Sequence, residues 1–488
     1  MDFAIALDYT IKIPIHRQLY EELRHSILSG RLAPGQRVPS TRSLARSLGI
    51  SRATVTLSYE QLLSEGYLRT IPSSGTFVYC QLPDILLQPA TIQPTQEARH
   101  QPVQLSAYGA NLVNLQLLMP SKTELPINFS CYGRPALDEF PLGLWRRLLA
   151  RACQLQPTML DYATSAQGYE PLRQAIARYI ARTRAVRCEV EQIIIVNGSQ
   201  QALNLVARLL VERGDLVAVE NPGYLDARQA FLLQEASLVS IPVDESGILV
   251  DRLITDPAAK IKLVYVTPSH QFPTGAVLSL SRRLALLAWA QQTGALIVED
   301  DYDSEYRYSD RPIPALQGLT INDSVIYIGT FSKVIFPALR LGYLVVPQSL
   351  VPIFACAKLL SDRQSSILEQ YALTEFINEG HLESHVRRMR SLYNQRRQTL
   401  VQALKQYFGN SVTILGENAG MHLMVRFHTD LSDEQIVLQA AQIGVGLVSA
   451  SPYYLETQST GEFIFGYADL SEEIIQAGVS KLARVLIN

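Results

Sequence analysis

The first eighty residues place apolar side chains at the spacing of amphipathic helices. Ile15, Leu19, Leu23 and Ile27 recur every four residues, and Gly30 follows them as a stop signal. Because residues four apart lie on the same side of an α-helix, this pattern predicts a helix with one buried face. It is the first of three predicted helices in this part of the chain.

The two further helices carry their own start and stop residues. Ser40 is a predicted N-cap of a short helix that ends at Gly49, and Ser51 caps the helix within SRATVTLSYEQLLSEG. The stretch GYLRTIPSSGTFVY then predicts two short strands joined by a turn of proline, serine and glycine. Three helices and a hairpin predict a winged helix-turn-helix domain over residues 12–80.

The pattern changes twice beyond this domain. Residues 81–127 are rich in proline and glutamine, as in LLQPATIQPTQEARHQPVQ, and predict a partly extended linker. Residues 128–488 alternate short apolar runs, such as QIIIVNG, IKLVYVTP and ALIVED, with amphipathic helical stretches. This alternation predicts an α/β domain with a parallel or mostly parallel sheet covered on both faces. Its last part predicts a smaller C-terminal α+β subdomain.

Composition fits a multidomain globular protein. At 488 residues the chain is longer than one hydrophobic core usually organises, and 18% of its residues are charged. It has no run of about 18 apolar residues and no signal-peptide pattern, which predicts a cytoplasmic protein without a membrane segment. The five scattered cysteines form no CxxC pair, so they indicate neither a disulfide framework nor a metal site.

The N-terminal domain has the charge and the residues expected of a DNA-binding module. Residues 1–79 carry nine Lys and Arg against six Asp and Glu, although the whole chain has a net charge of -2. In a helix-turn-helix the second helix enters the major groove by its N-terminal end, which here holds Ser51, Arg52 and Thr54. Arg42, on the preceding helix, and Gly75, at the hairpin tip, would flank the groove. Taken alone, these residues also fit a surface that binds protein.

A second group of residues fits a different chemistry. A pyridine aldehyde cofactor held as a Schiff base needs a lysine, phosphate donors, an acid beside the ring nitrogen and a flat group against the ring. In GTFSKVIFPALRLGY, Lys333 follows the short hydroxyl residues Thr330 and Ser332 at the end of an apolar strand. Arg340, seven residues on, can bind a phosphate bidentately.

The remaining parts of such a site lie at the ends of other predicted strands. Asp300 ends the run ALIVED, where a carboxylate could keep a pyridine nitrogen protonated, and Tyr302 is placed to bond the ring hydroxyl. Ser199 and Gln200 begin a helix, whose free N–H groups suit a phosphate, and Tyr224 can stack on the ring. Each motif alone also has a structural interpretation as a surface lysine, a loop or a turn.

The N-terminal part of the chain resembles a known family of regulators. The stretch from PIHRQLYEELRHSILSG to GYLRTIPSSGTFV is similar to the DNA-binding domain of the GntR family of bacterial transcriptional regulators. The resemblance implies that promoter DNA is a partner and that Arg42, Ser51, Arg52 and Thr54 occupy DNA-contacting positions. Thr56 stands where many relatives carry a further arginine, and the wing tip has Ser-Ser-Gly where Gly-Ser-Gly is usual.

From about residue 128 the chain resembles a fold-type I aminotransferase. NFSCYGRPALDEFPLGLWRRL, NGSQQALNLVARLL, NPGYLDAR, TPSHQFPTG, VEDDYDSEYRY and GTFSKVIFPALRLGY match in sequence order. Joined to a GntR-type head, this pattern is similar to the MocR subfamily. The resemblance implies that Lys333 holds pyridoxal 5′-phosphate as a Schiff base and that Asp300 pairs with its ring nitrogen. It also implies that Tyr224 stacks on the ring and that the phosphate is bound by Thr330, Ser199, Gln200 and Arg340.

Two departures bear on whether this domain is an enzyme. Ile464 stands where aminotransferases place the arginine that binds the substrate carboxylate, and no arginine lies between Arg426 and Arg484. Phe272 replaces the asparagine of their Asn-Pro-Thr-Gly motif. We therefore assign no catalytic residue.

Three functions fit this pattern. The leading hypothesis is a homodimeric transcription factor that senses pyridoxal phosphate, or an amine or amino acid that condenses with it. A second is an active aminotransferase with a regulatory DNA-binding head, and a third is a scaffold without cofactor.

Overall fold

The chain divides into two compact units, residues 1–104 and residues 105–488, each with its own core. The structure, a computed structural model, describes residue 5 and residues 7–80, 103–114, 125–162, 165–253, 260–308, 313–320, 322–456 and 461–486. Much of the predicted linker lies outside the described residues, and its described part contains a helix, α4 (Ala107–Asn114). The domain boundaries 12–80, 81–127 and 128–488 stay predictions.

The first unit is a winged helix-turn-helix, as the sequence predicts. Its elements are α1 (Ile15–Leu28), α2 (Thr41–Leu48), α3 (Arg52–Ser64), β1 (Leu68–Ile71) and β2 (Gly75–Val78). The two strands pair antiparallel, with Leu68 opposite Val78. Ser40 Oγ accepts a hydrogen bond from the Ser43 N–H, and Gly49 adopts a left-handed conformation, so both predicted ends of α2 are confirmed.

The second unit is built on an eight-stranded mixed sheet. Its strands, in chain order, are β4 (Ile193–Val196), β5 (Leu216–Asn221), β6 (Ser237–Asp244), β7 (Gly247–Ile248), β8 (Ile261–Val266), β9 (Leu296–Asp301), β10 (Val325–Thr330) and β11 (Gly342–Val345). The spatial order is β4-β11-β10-β9-β8-β5-β6-β7. The strands from β10 through β6 are parallel, whereas β11 runs antiparallel to both of its neighbours and β7 runs antiparallel to β6.

Helices cover both faces of this sheet. They are α5 (Leu142–Ala152), α6 (Glu170–Arg184), α7 (Ser199–Leu210), α8 (Leu225–Leu232), α9 (Leu280–Thr293), α10 (Leu316–Leu319), α11 (Val351–Asp362) and α12 (Ile367–Asn378). Alternate residues of β4 point to opposite sides: Ile193 packs in the core with α6 and α12, and Ile194 packs in the core with α7. All four residues of β4 are therefore apolar and buried.

A smaller α+β subdomain ends the chain. The long helix α13 (His381–Phe408) leads into it, followed by β12 (Val412–Leu415), β13 (His422–Phe427), α14 (Asp433–Gln442), β14 (Val445–Gly446), β15 (Val448–Ser449), β16 (Glu462–Gly466) and α15 (Glu472–Leu486). Strands β12, β13, β16 and β15 form one sheet, and β14 pairs with β3 (Ile127–Asn128). None of the described helices is both long and apolar enough to cross a membrane.

At one point where the subdomain meets the rest of its unit, two glycines approach each other closely. A Cβ added to Gly275 would lie 2.5 Å from the Cα of Gly416, and one added to Gly416 would lie 2.6 Å from the Cα of Gly275. Both residues have a positive φ, which residues with a side chain rarely adopt. The two backbones therefore meet with no side chain between them.

Candidate nucleic-acid interface and ligand pocket

The predicted DNA-contacting residues lie on α2, on α3 and on the hairpin. Ser51 is the N-cap of α3, where its Oγ accepts a hydrogen bond from the Thr54 N–H at 3.1 Å. Its hydroxyl also lies 2.8 Å from Thr54 Oγ1. Arg52 is the first residue of α3, and both Arg52 and Arg42 are exposed. Ser51 therefore orients the start of the helix that presents Arg52 to solvent.

The hairpin brings one more arginine to this surface. A Cβ added to Gly75 would lie 2.8 Å from Nε of Arg37, so the arginine side chain covers this glycine. Arg37 also pairs with Phe77 of β2 in an isolated β-bridge. The sequence analysis did not single out Arg37, because its place beside the wing depends on a long-range contact. Thr56, in the position of the missing arginine, donates its hydroxyl to the Arg52 carbonyl at 3.0 Å.

Lys333 lies in a pocket of the second unit, just after β10. A Cβ added to Gly133 would lie 2.7 Å from Lys333 Nζ, so the amino group rests against the backbone of residue 133. Burial lowers the pKa of Lys333, and the nearby carboxylates of Asp303, Asp300 and Asp226 partly oppose this shift. The neutral, nucleophilic form of the amine is therefore more accessible than in a surface lysine.

Asp300 is buried on β9, at the carboxyl edge of the sheet. Its Oδ2 accepts a hydrogen bond from the Tyr265 hydroxyl at 2.8 Å, and its Oδ1 has no partner among the described residues. Burial raises the pKa of Asp300 to about 7, against the opposing effects of the Tyr265 hydrogen bond and of Lys333. A cationic group placed at Oδ1 would stabilise the ionised carboxylate.

The hydroxyl of Tyr302 is hydrogen-bonded to a buried histidine, His270. Its Oη lies 3.0 Å from Nδ1 of His270 and donates to the His270 carbonyl at 2.9 Å. His270 Nδ1 is also 3.1 Å from a carboxylate oxygen of Asp303, and its ring lies 4.8 Å from the ring of His422. This hydrogen-bonded group fixes the orientation of Tyr302. Whether Tyr302 bonds a ring hydroxyl stays a prediction.

The opposite end of the pocket collects donors suited to an anion. Ser199 and Gln200 are the first residues of α7, whose N-cap is Gly198. A Cβ added to Gly198 would lie 3.0 Å from Nη2 of Arg340, and Arg340 Nη2 donates to the Asn197 carbonyl at 2.7 Å. A guanidinium therefore lies over a helix N-terminus, where both the charge and the free N–H groups attract anions.

The two hydroxyl residues before Lys333 differ in their bonding. Thr330 is the last residue of β10, and its Oγ1 accepts a hydrogen bond from the Ser332 N–H at 3.2 Å. Ser332 Oγ is buried and has no partner among the described residues. Because a buried hydroxyl without a partner is costly, this atom is suited to a ligand.

Aromatic side chains and an isoleucine form an apolar cluster in the same unit. The ring of Phe272 lies 5.6 Å from the ring of Tyr224, and the Tyr224 hydroxyl donates to Asp226 at 2.8 Å. Phe272 shares one buried apolar cluster with Ile464, which is fully buried between Met424 and Val448 of neighbouring strands. Ile464, which the sequence predicts to stand in the place of the substrate arginine, is therefore part of an apolar cluster.

The comparisons with known proteins match both units. Residues 15–78 match the family "Bacterial regulatory proteins, gntR family", and residues 145–482 match the family "Aminotransferase class I and II". The solved structure of LysN, the alpha-aminoadipate aminotransferase of Thermus thermophilus, superposes with a TM-score of 0.69 and 29% identity. The similarity covers 79% of this chain and 95% of that one.

Two relatives are similar along nearly the whole chain. The probable rhizopine catabolism regulatory protein MocR of Rhizobium meliloti is 38% identical, over 98% of this chain and 95% of that protein. The pyridoxine biosynthesis transcriptional regulator PdxR of Corynebacterium glutamicum is 32% identical, over 97% of this chain and 96% of that protein. Both are named as regulators, and both share the full two-unit length.

The fold and the relatives together define a DNA-binding transcriptional regulator that carries an aminotransferase-like domain. The chain belongs to the MocR subfamily of the GntR family. The family and fold expected from the sequence are thereby confirmed.

Substitution of Arg52 by alanine tests the DNA interface. If Arg52 reads a base edge, we expect Arg52→Ala to weaken promoter binding by about 1 to 3 kcal/mol, which is about 5- to 150-fold. The measurement is a promoter titration by fluorescence anisotropy at fixed salt. Arg31→Ala, in the turn after α1, is the matched control and should change the affinity little. Unchanged promoter affinity of the Arg52 variant would remove Arg52 from the recognition surface.

Proposed function

We propose that this regulator binds pyridoxal 5′-phosphate in the pocket at Lys333 and senses the cofactor, or an amine or amino acid that condenses with it. The observation that carries the proposal is a largely buried lysine, Lys333, near a buried carboxylate oxygen of Asp300 that has no partner among the described residues. Ile464, which the sequence predicts to replace the substrate-binding arginine, lies in an apolar cluster. The solved LysN structure supports it, because that protein is described in complex with a phosphopyridoxyl-leucine compound.

The residues of the pocket fit the chemistry of this cofactor. Asp300 Oδ1 is buried without a partner and suits a protonated ring nitrogen, and Ser332 Oγ is a second buried polar atom for which the described residues supply no partner. Arg340 and the start of α7 supply a cation and free N–H groups suited to a phosphate. The predicted roles of Thr330, Ser199, Gln200 and Tyr224 belong to the same proposal.

The residues around Lys333 prepare it for this ligand. Bound pyridoxal phosphate supplies an aldehyde that condenses with primary amines. Burial lowers the pKa of Lys333, which favours the uncharged amine, and the unpartnered Asp300 Oδ1 can hold a proton at the ring nitrogen. The hydrogen bonds between the Tyr302 hydroxyl and His270 fix the position of Tyr302, which is predicted to lie beside the cofactor ring.

Sensing requires that the ligand favours one arrangement of the regulator. A ligand that binds two arrangements equally shifts neither, so the pocket must bind better in the state that holds DNA or in the state that releases it. We propose that the aminotransferase-like domain forms a homodimer, which pairs two DNA-binding heads, and that the protein acts in the cytoplasm. Closure of the pocket on its ligand would then change the spacing of the heads.

An absorption spectrum combined with a promoter titration tests the proposal. The purified protein should gain a visible absorption band with pyridoxal phosphate, and its promoter affinity should change when the cofactor is added. Candidate amines and amino acids are then added to the cofactor-loaded protein and the titration is repeated. A protein that stays colourless and whose promoter affinity ignores the cofactor would contradict the proposal.

A second candidate function is an active aminotransferase with a regulatory head. The intact Lys333 pocket, with its unpartnered Asp300 oxygen, favours this alternative, because the same residues serve transamination. Ile464 argues against it, since an amino-acid carboxylate would lack the usual arginine in that position. Steady turnover of an amino acid with a keto acid, at ordinary enzyme rates, would favour the enzyme over the sensor.

A further inference from the structure

Four aromatic side chains form a continuous wall beside Lys333. The ring of Phe272 lies 5.4 Å from that of Tyr132, 5.1 Å from that of Tyr453 and 5.6 Å from that of Tyr224. Tyr132 directly precedes Gly133, whose backbone contacts the amino group of Lys333. We call Tyr132, Tyr224, Phe272 and Tyr453 the aromatic wall. Faces of aromatic rings attract cations as well as apolar groups.

Two arginines that could bind a carboxylate here differ in their bonding. Arg426, the last arginine before Ile464, donates from Nε to Glu462 at 2.9 Å. Arg228 is buried on α8 and donates from Nη2 to the Pro452 carbonyl at 2.7 Å. Its Nε and Nη1 have no partner among the described residues, so Arg228 is the main competing candidate to bind a carboxylate.

A carboxylate, that of Asp226, is hydrogen-bonded to one residue of the aromatic wall, Tyr224. Its Oδ2 accepts a hydrogen bond from the Tyr224 hydroxyl at 2.8 Å, and it accepts no other hydrogen bond among the described residues. Arg228 is two residues further along the same helix, and residues two apart do not share a helix face. One oxygen of Asp226 is therefore available to a ligand, at the edge of the aromatic wall.

The electrostatic influence of Asp226 reaches the lysine pocket. Burial is the main cause of the raised pKa of Tyr132 and of Tyr453, and the charge of Asp226 raises both pKa values further, whereas the charge of Arg228 partly lowers that of Tyr453. The same charge counteracts the lowering of the Lys333 pKa that burial causes. Asp226 thus acts on groups on both sides of the space next to Lys333, and it favours positive charge there.

We propose that this pocket selects a primary amine that carries a second positively charged group and no carboxylate, such as an aliphatic diamine. The first amino group lies toward Lys333, and the second is bound by Asp226 and the ring faces of Tyr132, Phe272 and Tyr453. Ile464 and its apolar neighbours contact the carbon chain between them. This inference rests on the proposed function and names the ligand class of that site.

Three amines of one carbon skeleton test the inference. Full-length protein with pyridoxal phosphate is titrated by calorimetry with 1,4-diaminobutane, butylamine and 4-aminobutanoate, whose distal groups are positive, apolar and negative. A charge-assisted hydrogen bond to the partly buried Asp226 should make the diamine bind about tenfold or more tightly than butylamine. We expect 4-aminobutanoate to bind most weakly, because Asp226 repels its carboxylate. Only the diamine should change promoter affinity.

Two variants test whether Asp226 causes the preference for the diamine. Asp226→Asn keeps an acceptor for the Tyr224 hydroxyl but removes the charge, so it should abolish the advantage of the diamine over butylamine. Asp215→Asn, a carboxylate bonded to Lys262 on the surface, is the control and should keep the advantage. A diamine advantage that survives in Asp226→Asn overturns the inference.

Two further outcomes separate this inference from the function on which it rests. Tightest binding of 4-aminobutanoate, lost in Arg228→Gln, also overturns the inference, because the pocket would then be a carboxylate site. Absence of the visible band with pyridoxal phosphate contradicts the proposed function instead. The ranking of the three amines is measured in either case, and a flat ranking overturns the inference by itself.

Discussion

Replacing Lys333 with alanine is expected to remove the visible absorption band of the cofactor-loaded regulator completely. Alanine has no amino group, so no covalent bond between residue 333 and the cofactor aldehyde can form. Asp300 and Arg340 remain, so the variant can still bind the cofactor non-covalently, with a spectrum of the free aldehyde. The response of promoter affinity to the cofactor should be lost together with the band. The measurement is a spectrum followed by a promoter titration.

Two controls make this result specific. Lys262→Ala removes a lysine that is bonded to Asp215 on the surface, and it should leave both the band and the promoter response unchanged. Promoter binding without cofactor should survive in Lys333→Ala, because the winged helix has its own core in the first unit. A band that persists in Lys333→Ala would place the covalent bond at another residue.

Replacing Arg184 with methionine is expected to destabilise the second unit by about 3 to 5 kcal/mol, because it breaks a buried ion pair and leaves one charge behind. Arg184 Nε donates to Asp301 Oδ2 at 2.7 Å, and its other nitrogens donate to Ser269 and to the Ile313 carbonyl. Both side chains of the pair are almost fully buried. Without Arg184, the Asp301 carboxylate has no cationic partner, and it lies next to Asp300 in the chain. Its charge acts on Asp300, which is predicted to bind the cofactor, so cofactor binding should weaken as well.

Urea unfolding followed by tryptophan fluorescence measures this loss. The chain has two tryptophans, Trp145 and Trp289, and both lie in the second unit, so the signal reports that unit only. Arg182→Ala, in the same helix, removes an exposed ion pair with Glu383 and should cost no more than about 1 kcal/mol. Adding Asp301→Asn to Arg184→Met should restore part of the stability, and equal effects of the two arginine variants would refute the assigned role of the buried pair.

Most helices and strands could be predicted because their signals are local. Ser40, Gly49 and Ser51 mark helix ends by their own side chains or their own backbone freedom, and the structure uses each of them as predicted. The direction of β11 is not a local property. The sheet is mostly parallel, as the sequence predicts, but β11 runs antiparallel to β10, eleven residues before it, and to β4, about 150 residues before it.

The residues of the candidate site also fall into those with a local sequence signal and those without one. Lys333, Asp300 and Arg340 could be found because each follows or ends an apolar strand and has a side chain with distinctive chemistry. Tyr265 and His270, which orient Asp300 and Tyr302, carry no such signal, because their roles depend on contacts between different strands and loops. Asp226 does not stand out in the sequence, because an acidic residue in the first turn of a helix is favoured there in any case.

The contact between Gly275 and Gly416 leaves little room for adjustment where the smaller subdomain meets the rest of its unit. Where side chains form a joint, changes of rotamer can absorb a small displacement, but two touching backbones cannot be compressed. A movement of the smaller subdomain relative to the sheet must therefore slide or turn about this contact, because the two segments cannot be pressed closer together.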